Sequence, residues 1–110
     1  MIYSVETERA CLGCMLMDFE TARNAAGVLS EDDFYLTHHR DIFRALAALV
    51  EKNTMPDIPL IWAEMNRQGT AERVGMDTLA KIATEVGSTI NAKKYISNLQ
   101  EMGWLRQCAA

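Results

Sequence analysis

Cys11 and Cys14 stand three residues apart in "ACLGCMLMD", residues 10 to 18, and the chain has one other cysteine, Cys108. A C-x-x-C pair of this kind serves as half of a zinc site, as a redox couple at a helix start, or as two small buried residues. Zinc needs a second pair of ligands. His38 and His39 are adjacent, so on a helix they point about 100° apart and do not both face one ion easily. A redox pair needs a strand before it and a helix N-terminus to lower the thiol pKa, and these cysteines lie two turns or more inside a helical stretch. From Ala10 to Met17 only Gly13 is not plainly apolar. That pattern predicts a central helix, apolar nearly all round, in which Cys11 and Cys14 act as small hydrophobes and Gly13 admits a neighbouring backbone.

The remaining candidates for chemistry are few. His39 with Arg40 at a helix entry has no serine, cysteine or acid in an obvious relay with it, so the expected role is a histidine hydrogen-bonded to backbone. Glu31, Asp32 and Asp33 in "SEDDFY" read as solvated acids in a first helical turn, where the dipole favours them, rather than as an acid/base pair. None of the six glycines is followed by Lys and Ser or Thr, and "GSTINAKK" lacks the second glycine of a phosphate-binding loop. No catalytic, cofactor-binding or metal-ligating residue is expected in these 110 residues.

The elements that position these residues follow from start and stop signals. The first helix is predicted over about Val5 to Met17 behind Ser4 as N-cap, and a short second over about Phe19 to Ala26, ending before Gly27. "SEDDFY" is a turn capped by Ser30. A third helix covers about His38 to Lys52, and a fourth about Ile58 to Gln68, with Asp57 as cap, Pro59 in the first turn and Gly69 just past the end. A fifth spans about Met76 to Val86 and a sixth starts near Asn91 and runs past Trp104. No window alternates long enough for a strand. The expected fold is all-α: one domain over 1–110, an orthogonal bundle of about six helices with the first at its centre.

Composition narrows the function classes. The 110 residues are 49% hydrophobic and 24% charged, an ordinary globular balance. Eleven Lys and Arg against fifteen Asp and Glu give a net charge of −4 with no basic block, the wrong field for tracking phosphates directly. Protein partners are the expectation. No apolar run of membrane-spanning length and no signal-like N-terminus is present, so no membrane contact and a cytoplasmic setting are expected.

Two ordered signatures go further. "SVETERACLGCMLMD" resembles the S-x-E-A-E-x-x-x-L-G-x-x-L-x-D opening of the N-terminal domain of DnaB-type replicative DNA helicases, matching at Ser4, Glu6, Glu8, Leu12, Gly13, Leu16 and Asp18. "DDFYLTHHRDIF" resembles that family's D-F-Y-x-x-x-H-R-x-I-F segment at Asp33, Phe34, Tyr35, His39, Arg40, Ile42 and Phe43. Asp57, Gly75 with Leu79, and Thr89, Asn91 and Tyr95 fall at later family motifs. The structural motif is thus carried by Leu12, Gly13, Asp18, Phe34, Tyr35, His39, Arg40 and Phe43. The family usually has small residues at the positions of Cys11 and Cys14, which implies packing.

The resemblance implies a non-catalytic collar domain of a hexameric ring motor. In that family these domains pair with themselves into a trimer of dimers, and the collar docks the helicase-binding domain of primase and, in some systems, loader proteins. DNA passes through the ring rather than being held by this domain. ATP and Mg belong to a RecA-like motor domain further along the parent protein, an ATP-dependent DNA helicase of bacterial or phage replication. Residues from about 91 to 110 correspond to the start of a linker or dimerisation hairpin. Two departures stand out: Thr78 replaces an aromatic, and Gly75 stands for a glycine pair. The candidate partner or oligomer surface is Thr78, Lys81, Tyr95 and Met102. An alternative from another class is a stand-alone helical adaptor or a helix-turn-helix regulator using the fourth and fifth helices. Its recognition helix would offer only Lys81 against Asp77 and Glu85.

Overall fold

The computed structural model describes residues 2–109, and among them every regular element is helical. Helix α1 (Val5–Met17) starts at Ser4, whose Oγ accepts from the Thr7 N–H at 3.2 Å. Asp18 closes α1 and opens α2 (Phe19–Val28), its Oδ2 accepting from both the Thr21 N–H and the Thr21 hydroxyl at 2.9 Å. A single 3-10 turn (Glu31–Asp33) follows, with the Ser30 N–H donating to Asp33 Oδ2 at 2.9 Å. Next come α3 (Thr37–Glu51), α4 (Ile58–Gln68), α5 (Ala71–Val74), α6 (Met76–Glu85) and α7 (Ala92–Ala109). Asp57 caps α4 by accepting from the Leu60 N–H at 2.9 Å, and Gly69 ends it at φ 79°, a left-handed value that favours glycine.

Two elements depart from the sequence expectation. Helix α2 runs through Gly27 to Val28, because Gly27 keeps a right-handed backbone and the Leu29 N–H still reaches the Ala25 carbonyl at 2.8 Å. The four-residue α5 was not expected, since one turn is too short to carry a periodic signal. It separates the fourth and fifth expected helices and removes the tight turn that a helix-turn-helix pair requires.

Helix α1 packs against α2, α3, α6 and α7 and forms the axis of the bundle. Cys11, Leu12, Cys14 and Met15 are buried there, together with Ile42 and Leu46 of α3, Ile61 and Met65 of α4, Leu79 and Ile82 of α6, and Leu99 of α7. Gly13 lies where α6 crosses: a Cβ on it would stand 2.6 Å from Val86 Cγ2 and 3.0 Å from the Ile82 carbonyl oxygen. Glycine therefore sets the α1–α6 distance. Gly103 does the same for α7 and the 3-10 turn, where a Cβ would come within 2.9 Å of the Asp33 Cα.

Polar ties fix the periphery. Arg73 of α5 grips buried Asp41 of α3 with two bonds, Nε to Oδ2 at 2.8 Å and a terminal nitrogen to Oδ1 at 2.7 Å. Arg44 forks onto Glu31 at 3.0 and 3.1 Å. Arg106 of α7 donates to the carbonyls of Ile2 at 2.8 Å and Asp32 at 3.0 Å, and Tyr3 stacks on Tyr35 with ring centroids 3.9 Å apart. No helix among the described residues is long and apolar enough to cross a membrane.

Candidate functional site

Spacing along α1 puts Glu8, Cys11, Leu12 and Met15 on one buried face, the i, i+3, i+4, i+7 stripe of a helix. A carboxylate in that stripe must have its oxygens occupied, because an unpaired buried charge costs several kcal/mol. Glu8 is fully buried and accepts three donors: the Tyr35 N–H at 2.7 Å, the Leu36 N–H at 3.4 Å and His39 Nδ1 at 2.7 Å. An acceptor already holding two amides sets the histidine tautomer, so Nδ1 carries the proton shared with Glu8. This corrects the expected backbone partner for His39. The acid that seemed missing from its surroundings is Glu8, 31 residues earlier in the chain.

The His39 ring is 3% exposed and lines a cavity of about 250 Å³ between α1, α3 and α6. Its walls are Val5 and Arg9 of α1, Leu36 and His38 beside the start of α3, and Thr78, Lys81 and Ile82 of α6. Two residues of the expected partner surface, Thr78 and Lys81, are brought together here with His39 of the structural motif. Arg9 is shared with Glu85 in an exposed ion pair. The site is therefore rich in nitrogen donors over an acidic chain.

The first turn of α3 adds to this. Its N-cap is Leu36, which has no side chain to offer, and no acceptor among the described residues takes the N–H groups of Thr37, His38 or His39. Free amides at a helix start favour negative charge.

Other sequence-selected residues lie elsewhere. Tyr95 and Met102 of α7 pack partly buried against the core and do not line this cavity. Leu12, Phe34 and Phe43 are core residues, the two phenylalanine rings 5.0 Å apart. Arg40 Nε donates to the Phe34 carbonyl at 2.7 Å, and Tyr35 is half-exposed under Tyr3. Asp32 is exposed, whereas Glu31 is paired with Arg44 and Asp33 caps the 3-10 turn, so two of the three acids have partners rather than only solvent.

Cys11 and Cys14 are free and buried, and Cys108 is free and exposed. Burial pushes the Cys11 thiol up to about 12, helped by the nearby Cys14, and burial also raises Cys14. Among the described residues no group of three or more His, Cys, Asp or Glu side chains is placed to hold a metal ion. Sequence reasoning missed Glu8, Arg9 and His38 as parts of one site. The spacing of Glu8 from Leu12 and Met15 carried a signal of burial, but nothing local pointed from α1 to α3.

Fold and cavity together define an all-α domain with a central apolar helix and a recess lined by His38, His39, Arg9 and Lys81 on one flank. The family model described as "DnaB-like helicase N terminal domain" matches residues 1–101, and the chain belongs to that family. It is 35% identical over 100 residues to the replicative DNA helicase DnaB of Rhodothermus marinus, covering 89% of this chain and 10% of that protein. It is 28% identical over 105 residues to the replicative DNA helicase DnaB of Geobacillus stearothermophilus, covering 94% of this chain and 23% of the relative. The crystal structure of the N-terminal domain of DnaB helicase from Mycobacterium tuberculosis superposes with a TM-score of 0.89 at 26% identity, over 96% of this chain and 76% of that one. The chain thus spans from a tenth to about a quarter of the length of these curated relatives, 10% and 23%.

Proposed function

We propose that this chain is the oligomerising, partner-docking collar domain of a hexameric replicative DNA helicase that unwinds duplex DNA with ATP. The observation that carries the proposal is the family match over residues 1–101 joined to a shared fold at TM-score 0.89. Its partners are further copies of itself and the helicase-binding domain of primase, with a helicase loader in some systems. ATP and Mg act in a motor domain of the parent protein, and DNA is engaged through the ring. Thr78 and Lys81 form one candidate docking flank. Tyr95 and Met102 contribute from α7, Tyr95 by shaping the surface above the core and Met102 by supporting it.

The acidic balance of the chain supports a protein-binding collar over direct strand contact, since phosphate tracking needs clustered cations. The test is association of the protein with itself, by light scattering, and with its cognate primase, by calorimetry, at concentrations up to the high micromolar range. Self-association and saturable primase binding are expected. Absence of both at those concentrations would overturn the proposal.

A further inference from the structure

We infer that Ile2 and Tyr3 form a strap that holds the distal turns of α7 against the domain, so that the segment after Gly103 docks or detaches as a unit according to whether the strap is engaged. The starting point is what those turns lack. Among the described residues Gly103 is the last buried position of α7; beyond it Trp104 and Leu105 are 62% and 39% exposed, Gln107 and Cys108 are exposed, and Arg106 alone is half-buried. A helical segment that buries no apolar side chain gains little from packing and belongs to the low-stability end of a fold. Its position therefore rests on its polar ties.

Those ties converge on one guanidinium. Arg106 donates from one terminal nitrogen to the Ile2 carbonyl at 2.8 Å and from the other to the Asp32 carbonyl at 3.0 Å, so it bridges the strap and the 3-10 turn. Its central carbon lies 5.8 Å from the centre of the Tyr35 ring, within reach of a cation–π attraction. Both acceptors are backbone carbonyls, so the tie depends on where the strap runs rather than on a carboxylate.

The strap is fixed from its other side. Tyr3 stacks on Tyr35 with ring centroids 3.9 Å and planes 11° apart, and the Tyr35 N–H donates to Glu8 at 2.7 Å. A chain of contacts thus runs from a fully buried carboxylate of α1 through Tyr35 and Tyr3 to the carbonyl that Arg106 holds. The stack lies at the surface, since Tyr35 is half-exposed, and it can open without disturbing the core. The near half of α7 has other anchors: Ala92, Ile96 and Leu99 are buried, and Gly103 stands so close to Asp33 that a Cβ on it would come within 2.9 Å of the Asp33 Cα. Gly103 is also the weakest helix former of that stretch, which places the hinge there. The strap accordingly sets where α7 points beyond Gly103 and how Trp104 and Leu105 are presented.

This device rests on contacts within the chain and not on the replicative proposal, so failure of self-association or primase binding leaves it standing. The experiment is amide hydrogen exchange followed by NMR on the 110-residue protein. Tyr3→Ala should speed exchange at positions 106 to 108 by about tenfold, the worth of one charge-assisted hydrogen bond, and leave the amides of Ile96 to Leu99 unchanged. Tyr3→Phe keeps the ring and should match the parent. Arg106→Gln should speed the same segment and move the Tyr3 ring resonances downfield as the stack loosens. The double variant Tyr3→Ala with Arg106→Gln should exchange no faster than either single one, because each change opens the same clasp. Unchanged exchange in Tyr3→Ala, acceleration spread evenly over all the helices, or additive effects in the double variant would overturn the inference.

Discussion

Glu8 and Cys11 sit one turn apart on the same buried face of α1, and burial has opposite chemical consequences for them. Glu8 is closed in by three hydrogen-bond donors, so its charge has partners and it fixes the position of a histidine. Cys11 is closed in by apolar neighbours and a second thiol, so its pKa rises to about 12 and it is chemically silent. The difference lies in what surrounds each residue rather than in depth, since both are essentially inaccessible. A site arises where a polar group is buried among partners, and a core where it is buried without them.

Breaking the polar half of this comparison should cost most. Glu8→Ala removes the acceptor for two amides and a histidine at once, and leaving such donors unpaired in the interior is expected to lower stability by about 3–5 kcal/mol. Glu8→Gln keeps one acceptor oxygen and should cost about 1–3 kcal/mol. Urea denaturation of the three proteins reads the order directly. Equal stability of all three would mean that Glu8 does not hold the α1–α3 junction.

The next largest effect tests the apolar half. Gly13→Leu drives a side chain into Val86 and the Ile82 carbonyl, and overpacking of this kind is expected to cost about 1–3 kcal/mol. Thermal unfolding measures it. An unchanged midpoint would mean that α6 does not approach α1 as closely as the 3.0 Å separation from the Ile82 oxygen requires.

Smaller still is the effect of the thiols themselves. Replacing Cys11 and Cys14 together by Ala removes two small apolar groups and should cost about 1–2 kcal/mol, with no dependence on added zinc. In the native protein a thiol reagent should modify Cys108 rapidly, while Cys11 and Cys14 react only on unfolding. Rapid native modification of all three cysteines would place Cys11 and Cys14 outside the core, and folding of the double variant restored by metal would make them ligands.

The contrast also explains what could be read from the chain. Helix bounds were legible at two side-chain caps and one glycine: Ser4 and Asp57 each accept the amide expected of them, and Gly69 turns left-handed where α4 stops. The closeness of Gly13 to a neighbour was legible too, because a glycine in an apolar helical run has few other uses. Helix α5 was not, and neither was Gly103, whose partner Asp33 lies in a turn far away in sequence. The site was half legible. His39 was singled out by its motif and Thr78 by its departure from one, with Lys81 named beside it, but the Glu8–His39 bond joins two helices through a tertiary contact that no local period encodes. Tyr95 and Met102 were named as candidate surface too, and both lie partly buried against the core.

A second carboxylate, at the C-cap of α1, sharpens the comparison at its weakest end. Asp18 closes the helix in solvent, and its pKa is held below the ordinary 3.8 first by the Thr21 amide and then by the Thr21 hydroxyl. A carboxylate whose folded pKa is depressed stabilises the fold while it is ionised, above its unfolded pKa, and that contribution is lost as pH falls through the folded value. Glu31 beside Arg44 and Glu64 beside Lys52 are depressed from 4.5 in the same sense. The contribution of these three carboxylates should accordingly hold from neutral pH down to about 5, then decline as pH drops through and below the ordinary carboxylate range. Asp18→Asn keeps a capping oxygen but not the charge, so its stability curve should lie slightly below the parent at pH 7 and converge with it in acid. Chemical denaturation at several pH values reads the convergence. Parallel curves down to the acid limit would mean that the cap at Asp18 works by hydrogen-bond geometry alone and that its charge adds nothing to the start of α2.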